Sequence, residues 1–412
     1  MSVLPGESSG KPPLQILHVV VAGEIGGAER LIADLVRVHA GNADTEHGPV
    51  RHAVALFTPS DALRTFFARE LDPIAVPVFD RGAVRENPAA YVWRSFGPLD
   101  LAWLAKTIRH VEANVVHLHT FASHVLGVRA ARAVGVPTVR TEHHVMHYHD
   151  PSTSTFTRWA ARRTTRIAAV SDYVRAHVAR ELPVVKDRLV TVRNGVDSAR
   201  FADEPWVDSG ADSVTFATVS RLTAWKRIDW ILRAVSLAPR ARLIVAGAGE
   251  ERARLEALAH EVGVHRRVNF TGHVDDPGSV LASADVAVNA SKDEPFGLAI
   301  LEALAKGRPV VAFRGGGVPE FVRHGETGWL VENDSVEALA AAMRSACSSR
   351  ASFAGMGRNA RRFAETEGEI RRTGAEYAAT YRDVVRSKSL PPPPSGSLPP
   401  DSSMPPSSGF PR

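Results

Sequence analysis

Residues 291–331, SKDEPFGLAILEALAKGRPVVAFRGGGVPEFVRHGETGWLV, hold two carboxylates, a glycine turn, an apolar helix, a strand and a glycine run. Glu294 and Glu302 stand around Pro295-Phe296-Gly297, where an irregular segment passes into a helix marked by Leu298, Ile300, Leu301 and Leu304. Open backbone N–H groups at a helix start beside a carboxylate suit a ligand that carries both phosphate and hydroxyls. The helix leads into the apolar run 310–313, which is the repeat of an α/β chain.

Outward from this stretch the same rhythm recurs. In the second half, residues 214–219, 243–246, 268–270, 286–289 and 310–313 read as strands, with helices at 250–261 and 336–346 among the segments between them. In the first half the strand candidates are 16–21, 53–57, 115–119, 138–141 and 167–170, with helices such as 28–39 and 99–111. Near-continuous apolar strands alternating with helices predict parallel sheets covered on both faces. Arg193-Asn194-Gly195-Val196-Asp197 interrupts the rhythm, and the polar residues that follow read as a linker. The expected organisation is a disordered leader at 1–13, a first Rossmann-like domain at 14–193, a linker at 194–212, a second such domain at 213–351, an amphipathic helical region at 352–386 and a disordered Pro/Ser-rich tail at 387–412. Doubly wound domains bind ligands at the carboxyl ends of their strands, which places a site in the cleft between them.

A chain of 412 residues exceeds what one core serves, and 44% apolar with 23% charged residues is a globular composition. Cys347 stands alone, so no intramolecular disulfide points to an oxidising compartment. With no run of 18 apolar residues and no secretory pattern at the start, a cytoplasmic protein is expected. The net charge of +5 lies in the first half, where 24 basic residues face 19 acidic ones, against 26 and 26 in the rest. Such an excess can attract an anionic membrane at its inner face or a phosphorylated acceptor, or be a solvated surface. Arg158, Arg162, Arg163 and Arg166 form the densest cluster, several of them expected on one helix face. No nucleic-acid signature accompanies them, so no nucleic-acid partner is expected.

Residues 23–29, GEIGGAE, end the first strand and open a helix without the G-x-G-x-x-G spacing of a dinucleotide fold. Gly26 and Gly27 still let backbone N–H groups approach a phosphate, although tight turns also use glycine for purely structural reasons. Arg221 and Lys226 follow the first strand of the second half, placed to neutralise a diphosphate. Among the histidines, the i, i+4 spacing of His143 and His147 invites a metal reading, but no full ligand set accompanies it, and none is expected. His117 and His119 on their strand are read as structural, with one of the pair facing the cleft.

The sequence resembles the family 4 glycosyltransferases over nearly all of residues 14–386. Glu294 and Glu302 look like that family's E-x7-E motif and Arg221 with Lys226 like its R-x4-K pair. Gly26-Gly27 resembles its amino-terminal glycine loop, Asn194-Gly195-Val196-Asp197 its interdomain turn, and Gly316-Gly317-Val318-Pro319-Glu320 the glycine run after the E-x7-E helix. The resemblance implies a retaining hexosyltransferase of GT-B fold that uses a nucleotide-diphosphate sugar, needs no metal or other cofactor, and has one long C-terminal helix, at 352–386, crossing back to the first domain. The absence of a D-x-D triplet agrees with that. By the same resemblance, Arg221 and Lys226 hold the donor diphosphate, Glu294 the sugar hydroxyls and Glu302 the ribose. Backbone groups at Gly27, Phe296, Gly297 and Leu298 complete the phosphate cradle, those near Gly272 and after Gly247 read the base, and His143 positions the sugar. Arg227 departs from the family, where glycine is common after the lysine, and bears on the conformation of that loop. A nucleotide-sugar epimerase, a sugar phosphorylase and a silent nucleotide-sugar-binding module are the alternatives. Donor base and sugar, and the acceptor bound by loops 58–98 and 143–158, stay open.

Overall fold

The computed structural model describes residues 12–41, 48–82, 88–201, 205–332 and 334–389. Seven parallel strands make the first sheet: β1 (Leu14–Val21), β2 (Val50–Phe57), β3 (Val78–Asp80), β4 (Val115–Leu118), β5 (Thr138–Glu142), β6 (Arg166–Ala169) and β7 (Leu189–Thr191), in the order β3-β2-β1-β4-β5-β6-β7. Six parallel strands make the second: β8 (Val214–Val219), β9 (Ala241–Ala246), β10 (Val268–Gly272), β11 (Val286–Asn289), β12 (Val310–Phe313) and β13 (Gly328–Val331), in the order β10-β9-β8-β11-β12-β13. Both are open doubly wound sheets whose strand order reverses beside their first strand, between β1 and β4 and between β8 and β11. A reversal opens a crevice at the carboxyl ends, because the two flanking connections leave to opposite faces.

Burial follows the sequence pattern. β2 and β12 are buried along nearly their whole length, as strands covered on both faces must be. One buried apolar cluster joins Val174 and Val178 of the first domain to Phe296, Ile300 and Phe321 of the second, so the domains share packed surface beside the 291–331 stretch.

The helical region expected at 352–386 is two helices. Phe353–Thr366 packs on helix Leu298–Ala305, and Ile370–Ser389 buries Tyr377, Tyr381 and Val384 against Leu14, Ile16 and Val115 of the first domain. The break falls at Gly368, which lies against Leu301. The second helix runs to Ser389, three residues beyond the expected end, because its buried face continues the helical spacing to Val384 and the turn after it is held by Ser387 Oγ donating to Asp383 O at 2.8 Å. Residues 1–11 of the leader and 390–412 of the tail lie outside the described residues. The linker is stitched to this break: Val196 N–H donates to Gly368 O at 2.9 Å and Ile370 N–H to Val196 O at 3.0 Å.

Half of the arginine cluster is ion-paired. Arg166 lies on β6, not on the helix, and pairs with Asp383; Arg158 pairs with Glu181 at 2.9 Å, leaving Arg162 and Arg163 exposed. No described helix is long and apolar enough to cross a membrane.

Candidate functional site

Three of the motifs sit at the carboxyl end of a strand that flanks a reversal. β1 ends in the Gly23–Gly27 loop, β8 in Ser220–Lys226, and β11 in the loop that carries Glu294.

The second-domain half converges on one ion pair. Lys226 Nζ donates to Glu294 Oε2 at 2.7 Å, with both side chains largely buried, and the ammonium stands 3.9 Å from the centre of the Trp225 ring. Glu294 is held from below by the glycine run: Gly317 N–H donates to Glu294 O at 2.8 Å, and a Cβ on Gly316, whose φ is +61°, would collide with that carbonyl. This close approach explains why the run follows the motif in sequence. Gly297, at φ +94°, turns the chain into helix Leu298–Ala305 in a conformation that other residues reach only with strain. Phe296 is buried in the interdomain cluster with its ring 5.1 Å from that of Phe321, so its side chain packs and its backbone alone is left for a ligand.

Arg227, the departure from the family pattern, adopts φ +51°, the region a glycine would take without cost. Its guanidinium pairs with Asp334 and lies 4.3 Å over the Trp230 ring, which offsets the strain. Arg227→Ala keeps the strain and loses both contacts, so it is expected to destabilise by about 1–2 kcal/mol, whereas Arg227→Gly relieves the strain and is expected within about 1 kcal/mol of the parent. Thermal denaturation of the two variants side by side checks this contrast.

Across the cleft the first domain supplies partners. Arg221 Nη1 lies 3.4 Å from Glu24 Oε2, and Arg30 Nη1 lies 3.7 Å from Glu302 Oε1. Gly27 faces Leu298, whose Cδ1 would be 3.2 Å from an added Cβ. Gly26 N–H donates to Glu29 Oε2 at 2.8 Å, so it is occupied by the protein's own carboxylate, contrary to the cradle role expected of it. Burial raises the pKa of Glu29, and that hydrogen bond opposes the rise. Glu302 is nearly buried and desolvation lifts its pKa to about 7, with Arg30 opposing. Gly272, at φ +78°, accepts from Gly247 N–H at 2.7 Å, which ties the two backbone segments expected to read the base.

A further junction joins the domains beneath Glu294. Glu320 accepts the N–H groups of Asp172 and Tyr173 at 3.1 and 3.0 Å and Arg193 Nε at 2.9 Å, capping from the second domain a helix of the first, Asp172–Glu181. Ser171 Oγ donates to Pro295 O at 2.6 Å next to it. Glu320 stands in the glycine run, but its capping of a helix 148 residues away has no local pattern in the sequence.

His143 follows β5 on the first-domain side. Burial lowers its pKa to about 3, so the imidazole is neutral, and its Nε2 is buried without a partner. The neighbouring His144 is held to about 4, chiefly by burial, with Arg221 among the charges acting on it. His147 does not join His143 in a metal site: its Nε2 donates to Glu142 Oε2 at 3.0 Å and its Nδ1 meets His144 at 3.3 Å. Glu142 is further bound by Arg140 at 2.6 Å and by the Tyr148 hydroxyl at 2.8 Å, and Arg140 holds its carboxyl well below the usual range. His117 and His119 share one face, as i, i+2 residues of a strand must, with ring centres 3.9 Å apart. His119, read with His117 as structural, has a buried Nδ1 without a partner and a ring 5.9 Å from that of His143.

Two doubly wound domains with charged motifs meeting at their facing carboxyl ends define the GT-B architecture. The comparisons agree with it. Residues 25–200 match the family model Glycosyltransferase Family 4, and residues 207–363 match Glycosyl transferases group 1. A lipopolysaccharide core biosynthesis glycosyltransferase, LpsE of Rhizobium meliloti, is 36% identical over 156 residues, 38% of this chain and 46% of that protein. The N-acetyl-alpha-D-glucosaminyl L-malate synthase of Bacillus anthracis is 24% identical over 310 residues, 71% and 81% of the two chains. Among solved structures, Anabaena HepE in complex with UDP-glucose has a TM-score of 0.75 at 22% identity, covering 90% of this chain and all of its own. Sucrose-phosphate synthase of Thermosynechococcus elongatus has a TM-score of 0.75 at 21% identity, covering 91% of this chain and all of its own. The chain belongs to the family 4-like glycosyltransferases.

Proposed function

We propose that the chain transfers a hexosyl group from a nucleotide-diphosphate sugar to a hydroxyl of a glycan, glycolipid or small molecule, with retention at the anomeric carbon and without a metal or other cofactor. The observation that carries this reading is the 2.7 Å contact of Lys226 with Glu294, which brings a cation suited to the departing diphosphate against a carboxylate suited to sugar hydroxyls. Arg221 adds the second positive charge, Glu302 accepts from ribose, His143 positions the sugar, and backbone at Gly27 and Phe296–Leu298 completes the cradle. The C1–O bond to the diphosphate breaks as the acceptor oxygen bonds C1 from the same face, and the acceptor proton leaves with the phosphate. Front-face attack is supported by the state of Glu142, the carboxylate next to His143: with Arg140, His147 and Tyr148 on its oxygens it is not available as a covalent nucleophile. We place the protein in the cytoplasm, in peripheral contact with an anionic membrane. In support, Arg162 and Arg163 lie exposed on a helix whose Phe156 packs with Phe96, beside the exposed Trp93.

A thermal-shift series with UDP-, GDP- and ADP-sugars tests the reading, starting from UDP-glucose because HepE was solved with it. A donor at about a hundred times its Kd is expected to add about 2.7 kcal/mol of stability, seen as a rise in Tm. No shift with any nucleotide sugar overturns the reading. Conversion of the donor without an acceptor would make the protein an epimerase, and a requirement for free phosphate a phosphorylase.

A further inference from the structure

Four buried histidines form a hydrogen-bonded chain through the first domain. His39, on helix Gly27–Gly41, has its Nε2 2.9 Å from the Gly374 carbonyl of helix Ile370–Ser389. His39 Nδ1 is 2.8 Å from His52 Nε2, His52 Nδ1 is 2.8 Å from His18 Nε2, and His18 Nδ1 is 2.8 Å from His119 Nε2. The chain ends at the carboxyl end of β4, on the unpartnered His119 Nδ1 beside His143.

With His39 neutral, the direction of every proton follows from the first bond. A carbonyl only accepts, so His39 Nε2 carries a hydrogen. A neutral imidazole has one donor and one acceptor, so His39 Nδ1 accepts from His52 Nε2–H. The same step repeats at His18 and at His119, leaving His119 Nδ1 as a bare acceptor. The reverse order would need an imidazolium at His39, whose ring is buried and stacked on that of His52, and burial disfavours a charge there. His117 stands outside the chain, tied to the Tyr381 hydroxyl and to Thr141 Oγ1, each at 2.7 Å.

We propose that His18, His39 and His52 are positioning residues that hold His119 in its Nε2–H tautomer, so that His119 Nδ1 accepts a hydrogen bond from a substrate hydroxyl. The hydroxyl partner rests on the transfer reaction proposed above; the order of tautomers stands independently of it. Through Gly374, the crossover helix thereby sets the proton arrangement of a residue at the cleft.

Nitrogen NMR of the full-length, ligand-free protein with isotope-labelled histidine, at about pH 7.5, is expected to show all four residues protonated at Nε2 and bare at Nδ1. His39→Leu removes the group that reads the carbonyl. It is expected to leave His119 in a mixture of tautomers and to lower kcat about tenfold, the effect of one neutral hydrogen bond, with donor KM within about twofold. His39→Gln can donate to Gly374 O and accept from His52, and is expected to restore both readouts. An Nδ1-protonated His119 or an imidazolium in the wild-type chain overturns the proposal, as does an unchanged His119 tautomer in His39→Leu. Should His39→Leu not fold, the wild-type spectrum and His39→Gln decide. The expected tautomers in a protein that transfers no sugar would instead overturn the reading of function.

Discussion

Lys226→Ala is expected to lower turnover at least about a hundredfold while the fold persists, because one preorganised charge at a departing diphosphate contributes about 3–4 kcal/mol to lowering the barrier. The geometry makes the effect twofold in origin. Lys226 is the cation nearest Glu294, and both side chains are largely withdrawn from water, so their interaction is stronger than that of an exposed pair. Without the ammonium, Glu294 is left as a buried carboxylate lacking its partner, and its grip on sugar hydroxyls is disturbed along with the loss of charge at the phosphate. Arg221→Ala is expected to reach a similar loss of turnover with less effect on stability, since Arg221 is about half exposed and its contact with Glu24 is a surface pair. Steady-state rates with the matched donor and acceptor, with circular dichroism as the control for folding, read this directly. Near-normal turnover in Lys226→Ala would remove the proposed diphosphate site.

The parts of this site that were legible in the sequence are those where composition and position coincide. Glu294, Glu302, Arg221 and Lys226 follow apolar strands, and the reversal of strand order turns that position into a shared cleft. The parts that were not legible depend on long-range contacts. β3, β7 and β13 are three or four residues long, too short to show a period, and each lies at the edge of its sheet. The break at Gly368 depends on Leu301, and the cap on helix Asp172–Glu181 depends on Glu320, so neither is written locally. Glycine before a helix permits the Gly26 N–H to meet a phosphate, yet Glu29 three residues on takes that N–H. The histidine chain is the extreme case: His18 and His52 lie on neighbouring strands, His119 just past the end of β4 and His39 on a helix, and only the fold brings the four together.

Glu302→Gln is expected to stabilise the protein at neutral and alkaline pH while weakening donor binding. Desolvation lifts the Glu302 pKa from the ordinary 4.5 to about 7, and Arg30 at 3.7 Å only partly opposes it. Below about pH 4.5 the carboxyl is protonated in both folded and unfolded chains, and glutamine should resemble it closely. Between about pH 4.5 and 7 the unfolded chain has released the proton and the folded one still holds it, so wild-type stability falls as pH rises. Above about pH 7 the folded chain carries a desolvated carboxylate, a cost of about 3 kcal/mol that the amide avoids. The Tm difference between Glu302→Gln and wild type should therefore be near zero in acid, grow through the intermediate range and level off above neutrality. A difference that does not vary with pH would show that the carboxyl is not desolvated. Such a costly acid on an otherwise apolar helix face points to use by a ligand: ribose hydroxyls donating to it would replace the water it has lost. Calorimetry with the free nucleoside diphosphate should then show weaker binding in Glu302→Gln, because the amide is the poorer acceptor.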